Sequence, residues 1–185
     1  FDCLSLIYNK ALFEGIEEPN ENWTLEDLQS AGEQVGLEFP VKSAYWWFPF
    51  LGGYGGEIFD ENGIPVIDSN AAAASLEWMM DLQLEHGIIP EGTQKISMEN
   101  SFENYDTAMI IDGPWNWARY EQGMIDAGQT LLPKVSSTGD HLSPFVTYKG
   151  WAVSKQSTEK VAATELALFL SSADVQKEFA LRTYT

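Results

Sequence analysis

Residues 45–48 read Tyr-Trp-Trp-Phe, so four large rings stand on consecutive positions, bracketed by Pro40 and Pro49. A helix turns its side chains about every 3.6 residues and a strand every 2. Neither periodicity turns four successive side chains toward one core. At least one or two of these rings must face something else: solvent, a partner or a ligand. The segment that follows, Leu51–Gly56, carries four glycines and predicts a close-packed or kinked stretch.

The rest of the chain supplies both kinds of regular structure. Cys3–Tyr8 is a short apolar run and predicts a buried strand, with Asn9 and Lys10 opening a loop. Thr24 with Asp27 three residues on predicts a capped helix, which Gly32 and Gly36 end or weaken. Asn62-Gly63 between Ile58-Phe59 and Pro65–Ile67 is a hairpin signal. Asp68-Ser69-Asn70 caps a helix over 71–85, with Ala72, Leu76, Met79, Met80 and Leu84 near helical spacing and Gly87 closing it. A short helix is expected over 97–104 and a strand over 107–111, which Gly113-Pro114 ends. Another helix is expected over 115–122. Residues 129–132 and 144–147 read as extended, and 151–153 as a strand. Helices over 157–170 and from about 172 to 181 complete the pattern. Strands mixed with helices imply an α/β or α+β lobe.

Composition removes several functions. Of 185 residues, 28 are acidic and 10 basic, a net charge of −18. Such a surface repels nucleic acid and anionic membranes. The excess is uneven: 12 acids against 2 bases in residues 1–62, 10 against 2 in 63–124, and 6 against 6 in the remainder. No apolar run approaches the roughly 20 residues that span a bilayer. With 24 aromatic residues the chain has enough apolar area to order itself. Cys3 is the one cysteine, which excludes an intrachain disulfide and a zinc cluster. The chain opens on Phe1 without Met and closes just after a helical pattern, so we expect it to be part of a longer protein.

Catalytic motifs are sparse. A nucleophilic triad needs a base beside Ser or Cys. Of the two histidines, His86 sits beside Gly87, where an imidazole suits a helix C-terminus, and His141 lies in a polar loop where solvation explains it. There is no G-x-S-x-G, P-loop or H-E-x-x-H. Residues 60–63 lack the alternating oxygens of a calcium loop. Paired carboxylates for glycoside hydrolysis are harder to dismiss among 28 acids, but Asp112 alone falls inside an aromatic segment.

The rings remain. Trp and Tyr present flat apolar faces with a polar edge. Sugar rings present C–H faces rimmed by hydroxyls, so stacking suits both. Trp78 within its helix and Trp23 before one fit core or staple positions. Tyr45-Trp46-Trp47 and Trp115-Asn116-Trp117 stand at element ends, where ligand residues are common, and fit either ligand or core.

LSLIYNKALF at 4–13, GGEIFDENGIPVID at 55–68, TAMIIDGPWNWARY at 107–120, LLPK at 131–134, PFV at 144–146 and GWAVSKQSTEKVAATELALFL at 150–170 occur in that order. Together they resemble the extracellular solute-binding proteins of carbohydrate ABC importers, most closely the maltose/maltodextrin-binding branch. The resemblance implies an α/β fold: one lobe of a type II periplasmic-binding-protein-like fold, with a mixed sheet flanked by helices. Residues 1–185 would form a single lobe, most of the C-terminal one, with the N-terminal lobe and final helices outside the chain. It implies a carbohydrate receptor, a malto-oligosaccharide binder rather than an enzyme, with no catalytic residue, metal or cofactor. Tyr45 falls at a sugar-contacting Tyr of that branch, Trp46 at a stacking Phe, and Trp115 at the cleft Trp of the GPW motif. Trp117 matches a supporting Trp, and Trp151 lies where other sugar binders approach the cleft. Two positions depart from the pattern: Ser43 stands where the branch has an acid, and Lys95 near its second Tyr. The implied partners are an oligosaccharide and the importer's membrane permease subunits, with no nucleic acid and no membrane insertion of this segment. The implied location is extracellular or periplasmic, anchored as a lipoprotein. A glycoside hydrolase-type or lectin-like module without a transporter is the alternative.

Overall fold

The computed structural model describes residues 2–183. Strand β1 (Ser5–Asn9) is buried at all five positions, and so is β3 (Met109–Asp112) at its four. Strands apolar on both faces belong at the centre of a covered sheet. They pair antiparallel, Leu6 opposite Ile111 and Ile7 opposite Ile110. β2 (Leu37–Glu38) joins β3 in parallel and β4 (Ala127–Thr130) joins β1 antiparallel, giving a mixed sheet of order β2-β3-β1-β4.

Helix α1 (Leu25–Val35) starts where the sequence predicts. Asp27 N–H donates to Thr24 Oγ1 at 3.3 Å and Thr24 N–H donates to Asp27 Oδ2 at 2.8 Å, which satisfies both ends of a capping box. Gly36 ends it at φ 86°, a left-handed conformation that favours glycine.

The aromatic run forms α2 (Ala44–Gly53), apolar on all sides, with Pro49 inside it. Such a helix must be enclosed. Each of the four rings finds a different neighbour. Trp46 turns toward the sheet and donates from Nε1 to the Ile111 carbonyl at 2.6 Å. Trp47 donates to Ser75 Oγ at 2.8 Å on helix α3 (Asn70–Leu84). Phe48 meets Phe145 edge-on at 4.5 Å, and Tyr45 points to Trp115. Further along α2, Phe50 stacks on Phe39 and on Trp78, each at 5.4 Å.

Ser69 caps α3, accepting from Ala72 N–H at 3.2 Å. Its buried face differs from the expected one. Ala72, Ser75, Met79 and Leu82 face inward, while Leu76 and Leu84 are exposed. Ser75 answers to Trp47 and to the Ala72 carbonyl, so a polar residue occupies the packing stripe. Helices α4 (Lys95–Glu103) and α5 (Trp117–Gln122) follow, the latter preceded by a 3-10 turn over Pro114–Asn116.

Further expectations need correction. The hairpin at 58–67 shrinks to one bridge, Phe59 with Pro65, flanked by hydrogen bonds of 2.9 Å from Asp60 N–H to the Ile64 carbonyl and from Val66 N–H to the Ile58 carbonyl, because the chain then turns at Asp68 into the Ser69 cap of α3. Its turn is as expected, with Asp60 Oδ1 accepting from Asn62 and Ile64 N–H at 2.9 and 2.8 Å. Residues 151–153 form no strand, since an apolar run becomes one only by pairing and no strand of the sheet pairs with it. His141 is half-buried rather than solvated, with Nδ1 2.6 Å from the Leu132 carbonyl.

The core draws its residues from Leu4 through Leu142. Helices α6 (Lys160–Leu170) and α7 (Ala173–Thr183) bury no residue, and Val161, Leu166, Leu168, Phe169, Phe179 and Leu181 are exposed on them. The start of α6 falls at Lys160 instead of 157, because Ser157 Oγ is engaged by Glu159 N–H before the helix begins. No helix of the described residues is long and apolar enough to cross a membrane.

Candidate functional site

Strand β3 delivers Asp112 into the protein interior and then breaks at Gly113-Pro114. Gly113 is extended (φ −112°, ψ 176°), so its backbone would suit any residue. Its lack of a side chain matters for another reason: a Cβ there would lie 2.2 Å from the Trp115 ring. The indole folds back onto the glycine, a pose that any other residue would block.

Trp115 is half-buried, and its Nε1 is enclosed with no partner among the described residues. Its ring centroid lies 6.3 Å from that of Tyr45 at a tilt of 50°. Lys95 Nζ stands 6.0 Å from the same ring. Trp115 also walls a cavity of about 460 Å³ with Asp2, Pro114, Lys149, Gln176 and Phe179. Asp2 is ion-paired with Lys149 and bridged to Thr147 by two backbone hydrogen bonds of 2.8 Å. Burial raises the Tyr45 pKa, and the charge of Asp2 adds to it, so the phenol keeps its proton and can donate.

The predicted site residues therefore divide. Tyr45 and Trp115 come together. Trp46, 7% exposed, lies behind Tyr45 with centroids 5.4 Å apart, edge-on. Trp151 is 62% exposed on a loop outside the core. Trp117 packs against the core half-buried. Sequence reasoning missed Asp2. Its signal was an acid placed just before the strand that enters the core.

Beneath the turn lies a polar cluster. Asp112 is fully buried and accepts from Asn116 Nδ2 at 2.8 Å and Tyr120 Oη at 3.1 Å. Burial raises its pKa, opposed by hydrogen bonds from Asn116, the Gly113 N–H and Tyr120. Burial and the Asp112 carboxylate together push the Tyr120 phenol far up. Asp112→Asn keeps an acceptor for both donors and removes the charge. The folded state holds the Asp112 proton to higher pH than the unfolded chain does. Stability from this group therefore falls as pH rises from the ordinary aspartate range through its elevated folded value. The variant should match or exceed the parent at neutral pH and lose that advantage in acid. Urea unfolding of both from about pH 4 to pH 8 isolates the difference; a variant weaker at neutral pH than in acid, relative to the parent, contradicts it.

Residues 4–177 match the family model described as bacterial extracellular solute-binding protein. A galactooligosaccharide-binding protein of Bacillus subtilis is 31% identical over 180 residues, covering 90% of this chain and 42% of the relative. A maltodextrin-binding protein of the same organism is 28% identical over 85% of this chain and 41% of its own length. Among solved structures, the maltose/maltodextrin-binding domain from Bdellovibrio bacteriovorus, bound to maltotriose, superposes with TM-score 0.81 at 28% identity, covering 96% of this chain and 50% of that one. The chain thus spans half or less of the length of these relatives, and its mixed sheet with flanking helices is the fold of one lobe of such proteins. On the match of its fold and of nearly its whole length, the chain belongs to the bacterial extracellular solute-binding proteins.

Proposed function

We propose that this chain supplies one wall of an oligosaccharide site in a two-lobed receptor of an ABC importer, with malto-oligosaccharide as the ligand class. The observation that carries the proposal is the seating of Trp115. Its ring lies on a glycine, beside Tyr45 and against a cavity with an acid in its wall. A flat aromatic face bordered by hydrogen-bonding groups suits a pyranose, whose C–H face stacks while its hydroxyls reach the rim. The Tyr45 hydroxyl donates, and the Asp2 carboxylate accepts. Trp46 backs Tyr45, and Trp151 joins the site when the lobes close.

The receptor acts by population shift: sugar bridging two lobes favours a closed form, which the permease subunits recognise. Chain outside residues 1–185 covers the exposed apolar faces of α6 and α7 and supplies the opposite wall. The full protein works outside the cell, held to the membrane as a lipoprotein, and performs no chemistry on the sugar. Calorimetric titration of the full-length protein with maltotriose, maltotetraose and a galactooligosaccharide tests the ligand class. Binding of the malto-oligosaccharides is expected. Their hydrolysis during the titration, or binding of the galactooligosaccharide alone, overturns the assignment.

A further inference from the structure

Near Trp115 sits a buried carboxylate that takes three donors. Glu99 exposes 5% of its side chain and takes Lys95 Nζ, Arg119 Nη1 at 2.9 Å and Asn116 Nδ2 at 2.6 Å. Arg119 is also anchored to Glu103 and to Asn100 Oδ1, so its one charge is shared between two carboxylates and Lys95 supplies the second cation. The other two donors lead to Trp115. Lys95, one helical turn before Glu99 on α4, carries its ammonium 6.0 Å from the indole centroid. Asn116 is the next residue in the chain, and its amide spans Glu99 and Asp112 at 2.6 and 2.8 Å. The indole therefore lies against a glycine that admits no Cβ, with a cation that Glu99 holds 6.0 Å from its centroid.

We propose that Glu99 is a positioning residue for ligand recognition: it holds the Lys95 ammonium against Trp115 and, through Asn116, fixes the turn that carries the ring. The proposal rests on the sugar-binding role of Trp115. A cation near an aromatic ring is attracted to it, and Lys95 keeps N–H donors at the rim of the stacking surface for sugar hydroxyls. Were the ammonium released, it would wander and the ring would lose one of its two confining neighbours.

The test uses the full-length protein with Glu99→Gln, Lys95→Ala and the pair combined, each also made with Trp115→Phe. Without ligand, the difference in near-ultraviolet circular dichroism between each protein and its Trp115→Phe partner isolates the Trp115 signal. With maltotriose, calorimetry gives the affinity. Glu99→Gln is expected to alter the Trp115 signal and weaken binding about tenfold, one such contact. The double variant should bind no more weakly than the weaker single one, because the Gln oxygen still accepts from Asn116, which leaves both changes acting through the same ammonium. A lowered thermal midpoint with unchanged Trp115 signal and unchanged affinity makes Glu99 a structural brace and overturns the proposal, as do additive losses in the double variant. If Glu99→Gln does not fold, Lys95→Ala carries the same two readouts from a half-exposed position, and no change in either overturns it. If the parent binds no sugar, the stacking role of Trp115 fails, while the ligand-free signal still decides whether Glu99 sets the ring.

Discussion

Trp115→Ala in the full-length protein should weaken maltotriose binding about a hundredfold, roughly 2.7 kcal/mol, while the fold survives. The ring is half-buried and its Nε1 donates to none of the described residues, so truncation breaks no internal hydrogen bond. What it removes is the flat surface at the cavity wall. Aromatic anchors at the centre of a binding surface carry a large share of its energy. Calorimetry beside thermal unfolding separates the outcomes. Loss of affinity with a midpoint shifted only a few degrees is expected. Collapse of both together would make Trp115 a core residue.

Trp46 should behave in the opposite way. Trp46→Ala is expected to cost about 3–5 kcal/mol of stability, the range for emptying a large aromatic site in a packed core. Its indole fills space between α2 and the sheet and satisfies the Ile111 carbonyl at 2.6 Å. Trp46→Phe retains most of the volume and loses only that bond, at about 1–3 kcal/mol for leaving a buried acceptor unmatched. Denaturant unfolding measures both. A stable Trp46→Ala protein that binds sugar poorly would move Trp46 from the core to the ligand wall.

The two rings differ in a way no sequence spacing reveals. Both stand beside other aromatics, and both suit either core or ligand. Their fates depend on long-range neighbours: a buried carbonyl of β3 for Trp46, a glycine two residues back and a cavity for Trp115. Features that depend on near neighbours were legible. The Thr24–Asp27 box, the Ser69 cap and the Asp60 turn all form within a few residues, and all stand where expected. Features that need a distant partner were not. The apolar run at 151–153 has no strand to pair with, and α3 buries Ser75 because Trp47 needs an acceptor there. The Glu99 cluster joins residues 95 to 119 across two helices and a turn, with nothing in their spacing to announce it. The aromatic run that cannot face one core on any regular period does not face one. It becomes a helix enclosed on several sides, with Tyr45 left to meet Trp115.

If the sugar is gripped between two lobes, each lobe alone should grip it poorly, since one wall of the site is then open to water. Calorimetric titration of maltotriose into the full-length protein and into residues 1–185 alone measures this directly. The account predicts micromolar or tighter binding by the full-length protein and at least about a hundredfold weaker binding by the 185-residue chain. Micromolar binding by residues 1–185 alone, or no sugar binding by the full-length protein, would contradict it.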